Sequence, residues 1–430
     1  MRLFDTYTRG FVDLPEPPGP VRMYVCGPTV YQRVHVGNAR PFVIAMWLKR
    51  WLERTGYDVD LVHNITDIND KIYAAAPGHS AELAAEASEW YLEDTRALGL
   101  GEPDHLPKAT ETIPEIVALI QELVAGGLAY PAAGDVYFRV ARFPDYGRLS
   151  GRTDGESVRN PSEEDEASEL KEEARDFALW KAHKEGEDTW WDSPWGLGRP
   201  GWHIECSAMA EKFLGPAFEI HGGGLDLVFP HHENEIAQSR GAGRQFARIW
   251  MHNGMLELTG EKMSKSVGNV VSLREALERW GRETLLLYFM TAHWRKPIDF
   301  NDDVLEQAAA QADTFRNHFL AGGEDGGEPA RDELVRVLDD DFNTPDALAL
   351  FHDWRSRGDG ASLRWGLDAF GLGTLAEPAA APPELVELAE EREAARAQRN
   401  FERADELRES IGAEGWEVRD VEGGFQLVPK

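Results

Sequence analysis

Cysteine is nearly absent from this chain of 430 residues, which holds only Cys26 and Cys206. So few cysteines argue against a disulfide scaffold and are typical of a cytoplasmic protein. Apolar runs of roughly 20 residues, the length of a membrane-spanning helix, are also missing, so we expect no membrane partner. The first residues show neither the apolar stretch nor the small-residue cleavage site of a secretory signal. These absences predict a cytoplasmic location.

Positive charge is also scarce. The chain has 45 Lys and Arg residues against 76 Asp and Glu residues, which gives a net charge of −31, and only 11 of the basic residues are lysines. An acidic surface of this kind stays hydrated where salt screens charges over only a few ångströms, and we interpret it as a halophilic adaptation. Charge alone argues against a nucleic-acid partner, whereas the motifs described below indicate one.

The order of apolar residues predicts an α/β protein of two to four domains. Residues 22–66 have the pattern of a βαβ unit, with strands at 22–26 and 58–66, a turn at Gly27-Pro28 and a helix over 38–55. Further along the chain we expect helices at 80–98, 110–126, 273–319, 332–370 and 384–411, strands at 136–140 and 249–258, a solvated acidic loop at 161–176, a linker at 322–328 and a hairpin at 415–428.

Two motifs point to a phosphate-bearing nucleotide. The first, His35-Val-Gly37-Asn38, lies between the first strand and its helix, where free N–H groups and the helix dipole attract anions. Gly37 would let the backbone come close to such a ligand. The second, Lys262-Met-Ser264-Lys265-Ser266, places two lysines and two hydroxyls on a glycine-flanked loop. Together they predict a site for the triphosphate of ATP.

The two cysteines suggest a metal site. Cys26 ends the first strand, Cys206 lies in the segment Gly201-Trp-His-Ile-Glu-Cys206, and His231 and Glu235 are spaced i,i+4 as on one helix face. Two thiolates, an imidazole and a carboxylate form a plausible tetrahedral set for zinc. His203, Glu205, His221 and His232 compete for the same role, so residue types and spacing leave the ligand set open.

The ordered motifs resemble those of the cysteinyl-tRNA synthetase family, a branch of the class I aminoacyl-tRNA synthetases. The resemblance rests on VCGPTVY (25–31), HVGN (35–38), NITD (64–67), DFALW (176–180), GWHIEC (201–206), FPHHENE (229–235) and KMSKS (262–266), and extends from Met1 to the terminal hairpin. It implies a Rossmann-type catalytic core with a parallel sheet.

The resemblance also implies a division into domains. The catalytic core would comprise residues 1–126 and 200–248, and an inserted acceptor-end subdomain would occupy 127–199. A connection carrying the KMSKS motif would span 249–310, an all-α anticodon-binding bundle 311–383, and a helix with a small hairpin 384–430. The insertion is too short for a hydrolytic editing module, so we expect none.

Family membership would assign roles to individual residues. The zinc ligands would be Cys26, Cys206, His231 and Glu235. The residues acting on Mg-ATP would be His35, Gly37, Asn38, Lys262, Ser264, Lys265 and Ser266, of which His35, Asn38, Lys262 and Lys265 would be catalytic. The cysteine pocket would include Gly27, Thr66, Trp202, His221 and Asp226. The expected partners are L-cysteine, ATP and tRNA(Cys), and the expected state is a monomer with one zinc ion per subunit.

Three other functions fit part of the pattern. A ligase joining cysteine to an amino sugar in low-molecular-weight thiol synthesis resembles the same core, but Asn38 and the extension beyond about residue 330 argue against it. A non-catalytic RNA- or nucleotide-binding paralogue would not need both HVGN and KMSKS intact. A zinc hydrolase would need an open metal position and a free general base, which two cysteine ligands and an ATP loop fit poorly.

Overall fold

The computed structural model describes residues 1–152, 168–258, 261–262, 271–322, 327–377, 381–421 and 424–429. Its strands are β1 (Arg2–Asp5), β2 (Gly10–Asp13), β3 (Pro20–Val25), β4 (Asp58–His63), β5 (Ala129–Ala132), β6 (Asp135–Phe138), β7 (Phe177–Ala182), β8 (Gly198–Pro200), β9 (Ala217–Gly224), β10 (Phe246–Asn253), β11 (Leu256–Leu258), β12 (Glu261–Lys262), β13 (Ile298–Asp299), β14 (Trp416–Val421) and β15 (Gly424–Pro429). Its helices are α1 (Val36–Arg54), α2 (Asp70–Ala75), α3 (Ser80–Arg96), α4 (Ile113–Ala125), α5 (Trp202–Leu214), α6 (Glu233–Gly241), α7 (Leu273–Trp280), α8 (Arg282–Met290), α9 (Asp302–Leu320), α10 (Arg331–Leu338), α11 (Thr344–Arg357), α12 (Gly360–Ala369), α13 (Pro383–Ala397) and α14 (Phe401–Ala413).

A parallel four-stranded sheet forms the centre of the fold, in the spatial order β10-β9-β3-β4. The chain leaves β3 for β4 on one side and later returns for β9 on the other, so the strand order reverses between β3 and β9. In open parallel sheets, ligands bind outside the carboxyl ends of the strands at such a reversal. The topology therefore places a site beyond Val25 and Gly224, and confirms the predicted α/β core.

Helix α1 covers this sheet because its apolar residues recur at helical spacing. Phe42, Val43, Met46 and Trp47 are buried in the main hydrophobic core. In the first turn of α1, no acidic side chain neutralises the positive end of the helix dipole, and His35 makes no side-chain cap. The amino end of α1 thus keeps its attraction for an anion.

The inserted segment forms a separate antiparallel sheet, β5-β6-β7-β8, with its own apolar core against α4. The N-terminal hairpin β1–β2 docks on the edge strand of the central sheet. The backbone N–H of Trp250 donates to Asp5 (2.8 Å), and the N–H of Thr6 donates to the Trp250 carbonyl (3.0 Å). The β1–β2 turn is thereby held beside the carboxyl end of β10.

Several predicted elements differ in detail. The strand expected over 249–258 is two strands, β10 and β11, because the chain turns at Gly254, where an added Cβ would lie 2.2 Å from the Lys296 carbonyl oxygen. The helix expected over 384–411 is interrupted between α13 and α14, since Arg399 has a positive φ of 60° and Asn400 caps α14. The predicted acidic loop at 161–176 and linker at 322–328 fall partly outside the described residues. Among the helices described, none is both long and apolar enough to cross a membrane.

Candidate active site and metal centre

A cleft of about 360 Å³ opens at the carboxyl ends of the central strands. The lining residues come from the ends of these strands. Cys26, Gly27 and Pro28 directly follow β3, and His63, Gly224 and Asn253 are the last residues of β4, β9 and β10. Of the residues predicted from the sequence, the cleft is lined by Cys26, Gly27, His35, Gly37, Asn38, Trp202 and Asp226. Among the other described candidates, Thr66, Cys206, His221, His231 and Glu235 are buried.

Gly37 occupies a position that excludes a side chain. A Cβ there would lie 2.9 Å from Nδ1 of His35 and 3.4 Å from Cβ of Leu256. The imidazole of His35 therefore packs against the first turn of α1, beside the exposed Asn38. The arrangement places a ring nitrogen, an amide and the amino end of a helix on one side of the cleft.

The segment that follows the KMSKS motif is joined to this helix start. The N–H of Val36 donates to the carbonyl oxygen of Val271 (3.0 Å), and the N–H of Leu273 donates to the carbonyl oxygen of Val34 (2.9 Å). At the other end of the motif, Lys262 lies in β12 and pairs with Glu257 of β11, the residue that follows the cleft residue Leu256. Both flanks of the motif therefore lie beside the cleft. Ser264, Lys265 and Ser266 lie outside the described residues.

Four potential metal ligands converge on the inner wall. Cys26, Cys206, His231 and Glu235 are buried, and their ligand atoms lie within 4.8 Å of one another. The Sγ atoms of Cys26 and Cys206 are 3.8 Å apart, Sγ of Cys26 is 3.7 Å from Oε1 of Glu235, and Nε2 of His231 is 3.2 Å from the same oxygen. Zinc bonds of about 2.0–2.3 Å at tetrahedral angles require ligand separations of about 3.3–3.8 Å. These side chains fit a tetrahedral zinc ion.

A second set, Cys26, His221, His232 and Glu235, overlaps the first. It fits zinc less well, because Nε2 of His221 is only 2.8 Å from Oε2 of Glu235, which is a hydrogen-bond distance. His221 instead orients the carboxylate from outside the ligand sphere, as the hydrogen-bond partners of metal ligands commonly do. The ring of His231 is held in the same way, since its Nδ1 lies 3.0 Å from Nδ1 of His203.

The two thiols differ in pKa. Burial tends to raise the pKa of Cys206, but the hydrogen bond from Cys26 and the nearby His231 outweigh it and lower that pKa to about 6. Burial and the same hydrogen bond raise the pKa of Cys26. By themselves the two sulfurs thus hold one thiolate and one thiol, because two buried negative charges repel each other. A divalent cation between them would stabilise both thiolates.

Neutral histidines surround this cluster. Burial lowers the pKa of His232 well below its ordinary value and lowers that of His252 to about 3. Nδ1 of His232 lies 2.8 Å from Nε2 of His252, whose Nδ1 lies 2.8 Å from the hydroxyl of Thr6. This chain of rings is uncharged and fixed by hydrogen bonds, so it holds the cluster in place without adding positive charge.

Some cleft residues were not predicted from the sequence. Asn253 ends β10 with its Oδ1 buried and without a hydrogen-bond partner in the described part of the chain, and Lys71 lies at the start of α2. The one sequence feature that could have indicated Asn253 as a site residue is the glycine that follows it, where β10 ends. His231 also differs from expectation, because it lies in an irregular turn before α6 rather than within that helix, although it still reaches Glu235.

Gly27 makes the closest backbone approach in the site, which leads to a stability prediction. A Cβ on this residue would lie 1.7 Å from the carbonyl oxygen of Asn64. We expect Gly27→Ala to lower the free energy of unfolding by about 3 kcal/mol, because backbone must move to relieve the overlap. Urea denaturation measures the change. Gly327→Ala is the matched control, since a Cβ there meets nothing within 4 Å; equal stability of the two variants would contradict the packing described.

Comparison with known proteins identifies relatives over nearly the whole chain. Residues 14–310 match the family model described as the class I (C) tRNA synthetase catalytic domain. The cysteine–tRNA ligase of Brevibacillus brevis is 42% identical over 95% of both chains, and that of Jannaschia sp. is 44% identical over 97% of this chain and 94% of the relative. In three dimensions the chain resembles Mycobacterium tuberculosis methionyl-tRNA synthetase solved in complex with methionyl-adenylate, with a TM-score of 0.55 and 15% identity, over 91% of this chain and 89% of that one. This last likeness concerns the fold alone.

Proposed function

Since the chain belongs to the cysteine–tRNA ligase family of class I tRNA synthetases, we propose that it activates L-cysteine with ATP and transfers it to tRNA(Cys). The observation that carries the proposal is the placement of two thiols at zinc-ligand separation directly behind an anion-binding helix end. Carboxyl activation and thiol selection could then take place in one cleft. The domain boundaries given above are part of the proposal, as are the cytoplasmic location and the monomeric state.

The first reaction step joins the amino acid to the nucleotide. A carboxylate oxygen of cysteine attacks the α-phosphorus of ATP, the bond to the β-phosphate oxygen breaks, and pyrophosphate leaves. Charge grows on the phosphate oxygens, so the protein contributes mainly by positioning and by stabilising that charge. His35, Asn38 and the amino end of α1 would act on one side, and the lysines of the KMSKS motif on the other.

The second step releases AMP. A hydroxyl of the terminal ribose of tRNA attacks the carbonyl carbon of the mixed anhydride, the bond between that carbon and the phosphate oxygen breaks, and the cysteinyl ester forms. The attacking hydroxyl loses its proton as AMP leaves. The chain must therefore hold the adenylate still while admitting a single RNA strand to the same cleft.

Cys26, Cys206, His231 and Glu235 are the proposed zinc ligands. When bound, zinc supplies a soft Lewis acid that favours a thiolate over a hydroxyl, which separates cysteine from serine where shape alone could not. Trp202 stacks on His231 with ring centroids 4.3 Å apart, and it lines the cleft in front of the ligand cluster. Its indole would form the floor on which the substrate side chain lies.

The direct test is cysteine-dependent exchange between ATP and pyrophosphate, followed by aminoacylation of a tRNA(Cys) transcript with labelled cysteine or serine. We expect exchange and charging with cysteine and neither with serine. Charging of an amino sugar in place of tRNA would favour the rival ligase. Binding of RNA without exchange would favour a non-catalytic paralogue.

The acidic surface predicts an unusual response to salt. Of the C-terminal arginines that could contact tRNA (Arg355, Arg357, Arg364, Arg392, Arg396, Arg399 and Arg403), the structure pairs Arg357, Arg392, Arg396 and Arg403 with carboxylates. Long-range attraction for RNA is therefore weak, and contacts that survive screening carry more of the affinity. We expect tRNA affinity to fall only weakly, or to rise, from low to molar salt, while the free energy of unfolding increases.

Filter binding of tRNA and urea denaturation across the same salt series measure the two quantities. An ordinary basic nucleic-acid binder loses affinity steeply with salt. A comparably steep negative slope of log K against log salt would contradict this interpretation of the acidic surface.

A further inference from the structure

Arg40, on α1, is a charged side chain that the fold buries. Only 1% of its surface is exposed, and within the described part of the chain no carboxylate lies at ion-pair distance from it. Burial lowers the pKa of Arg40 to about 10, so the guanidinium still carries its charge at neutral pH. A buried charge without a counter-charge destabilises a fold, which points to a role that an apolar side chain of similar size could not fill.

Two backbone carbonyls accept hydrogen bonds from Arg40. Its Nη1 donates to the carbonyl oxygen of Gly254 (2.6 Å), and its Nη2 donates to the carbonyl oxygen of His293 (3.1 Å). The planar guanidinium holds both acceptors in a fixed arrangement, which the compact ammonium of a lysine on its flexible stem does not reproduce. Arg40 thereby joins α1 to segments that lie 214 and 253 positions further along the chain.

The first of these segments, residues 253–256, forms part of the wall of the catalytic cleft, and we refer to it as the Gly254 turn. Gly37 and Arg40 are three positions apart and therefore lie on the same face of α1. At Gly37 the missing side chain lets Leu256 of the turn approach the helix, since an added Cβ would lie 3.4 Å from Cβ of Leu256. Arg40 then ties the turn to the helix one turn further on.

Further hydrogen bonds fix the Gly254 turn and leave it one acceptor for a ligand. The N–H of Gly254 donates to the carbonyl oxygen of Trp294 (2.8 Å). The side-chain amide of Asn253 donates to the carbonyl oxygen of Gly223 (3.2 Å), whereas its buried Oδ1 has no partner among the described residues. The position of this oxygen in the cleft depends on how Arg40 holds the adjoining backbone.

The charge of Arg40 also adds to the positive end of α1. Arg40 is the fifth residue of this helix, and no acidic side chain occupies the first turn. The helix dipole and the guanidinium therefore attract an anion together, and buried charges are screened less by salt than exposed ones. The triphosphate of ATP, which the proposed function assigns to the start of α1, would supply the missing counter-charge.

We propose that Arg40 is a positioning residue for ATP: it holds the Gly254 turn against the start of α1 and so sets the affinity of the cleft for the nucleotide. This inference rests on the proposed function, in which ATP occupies this side of the cleft. The hydrogen bonds of Arg40 reach Gly254 and His293 and none of the proposed zinc ligands. Binding of cysteine should therefore depend little on Arg40.

Arg40→Met and Arg40→Lys test the proposal by comparing the two small substrates. In cysteine-dependent pyrophosphate exchange we expect Arg40→Met to raise KM for ATP about tenfold, the size of one lost hydrogen bond to a charged group. KM for cysteine and the zinc content should stay close to the wild-type values. Arg40→Lys should give an intermediate KM for ATP, because the charge remains but the paired carbonyl contacts do not. Calorimetric titration with ATP alone should show the same loss of affinity.

Arg50→Met is the matched control. Arg50 lies on the same helix, and its guanidinium donates to the backbone carbonyls of Asp368 (2.7 Å) and Ala369 (3.2 Å), away from the cleft. This variant should keep the wild-type KM for ATP, even where urea denaturation shows that it is less stable.

Three results would overturn the inference: an unchanged KM for ATP in Arg40→Met, equal increases in KM for ATP and for cysteine, or an increase of the same size in Arg50→Met. If Arg40→Met does not fold, Arg40→Lys decides by the same comparison of the two substrates. Absence of exchange in the wild-type protein would instead refute the proposed function.

Discussion

Cys206→Ser is expected to release zinc and to lower cysteine-dependent pyrophosphate exchange by more than about a hundredfold. Removal of a residue that only orients a metal ligand costs about 10–100-fold in metal affinity or activity, so removal of a direct ligand should cost more. Serine is nearly the same size as cysteine, and Cys206 is fully buried, so packing changes little while the thiolate disappears. Zinc content per chain, measured by mass spectrometry of the purified protein, is the primary readout.

The same variant distinguishes the two overlapping ligand sets. If Cys26, His221, His232 and Glu235 held the ion, Cys206→Ser would keep its zinc. Ser207→Ala is the matched control, because it removes the hydroxyl next in the chain, which contacts Gln238, and leaves every ligand atom in place. An active wild-type preparation that contains no zinc would refute the metal hypothesis itself.

Lys265→Ala is expected to slow adenylate formation by about a hundredfold to a thousandfold. Removal of a single preorganised group that stabilises transition-state charge has effects of this size in other enzymes. Binding of cysteine should change little, since the lysine is assigned to the phosphates and not to the thiol side of the cleft. Single-turnover formation of pyrophosphate measures the rate, and calorimetry in the absence of ATP measures cysteine affinity.

An exposed lysine elsewhere provides the control for this prediction. Lys296 lies in the loop after α8, and Lys296→Ala removes an equal charge outside the cleft. Exchange near the wild-type rate in Lys265→Ala would show that the assigned role is wrong. A parallel decrease in both variants would point to net charge rather than to a specific interaction with the phosphates.

Local sequence determined the part of the fold that depends on neighbours along the chain. The predicted βαβ unit over 22–66 corresponds to β3, α1 and β4, because its apolar periodicity and the stop at Gly56 act within a few residues. The prediction was wrong where one residue changed the backbone direction. Gly254 and Arg399 each divide a predicted element, and neither position interrupts the apolar pattern strongly enough to show it.

The proposed zinc ligands could not be chosen from residue types and spacing alone. Residue types pointed to thiols, histidines and a carboxylate, but His203, Glu205, His221 and His232 were equally eligible by chemistry, and only the family resemblance chose among them. The structure supplies a physical criterion, because the distances of 3.8, 3.7 and 3.2 Å fit one tetrahedral ion whereas 2.8 Å between His221 and Glu235 does not. Those distances join residues up to 209 positions apart.

The sequence by itself determined the family, the strand–helix junction proposed to bind phosphate and the acidic character of the chain, since each depends on composition or on residues close in the chain. Only the tertiary structure decided which histidine faces the ligand cluster and which orients its neighbour. It also decided that Arg148 and Arg240, which come from separate segments, both pack against the ring of Tyr7. Ion pairing and ligand geometry depend on which distant segments pack together, and no periodicity along the chain encodes that.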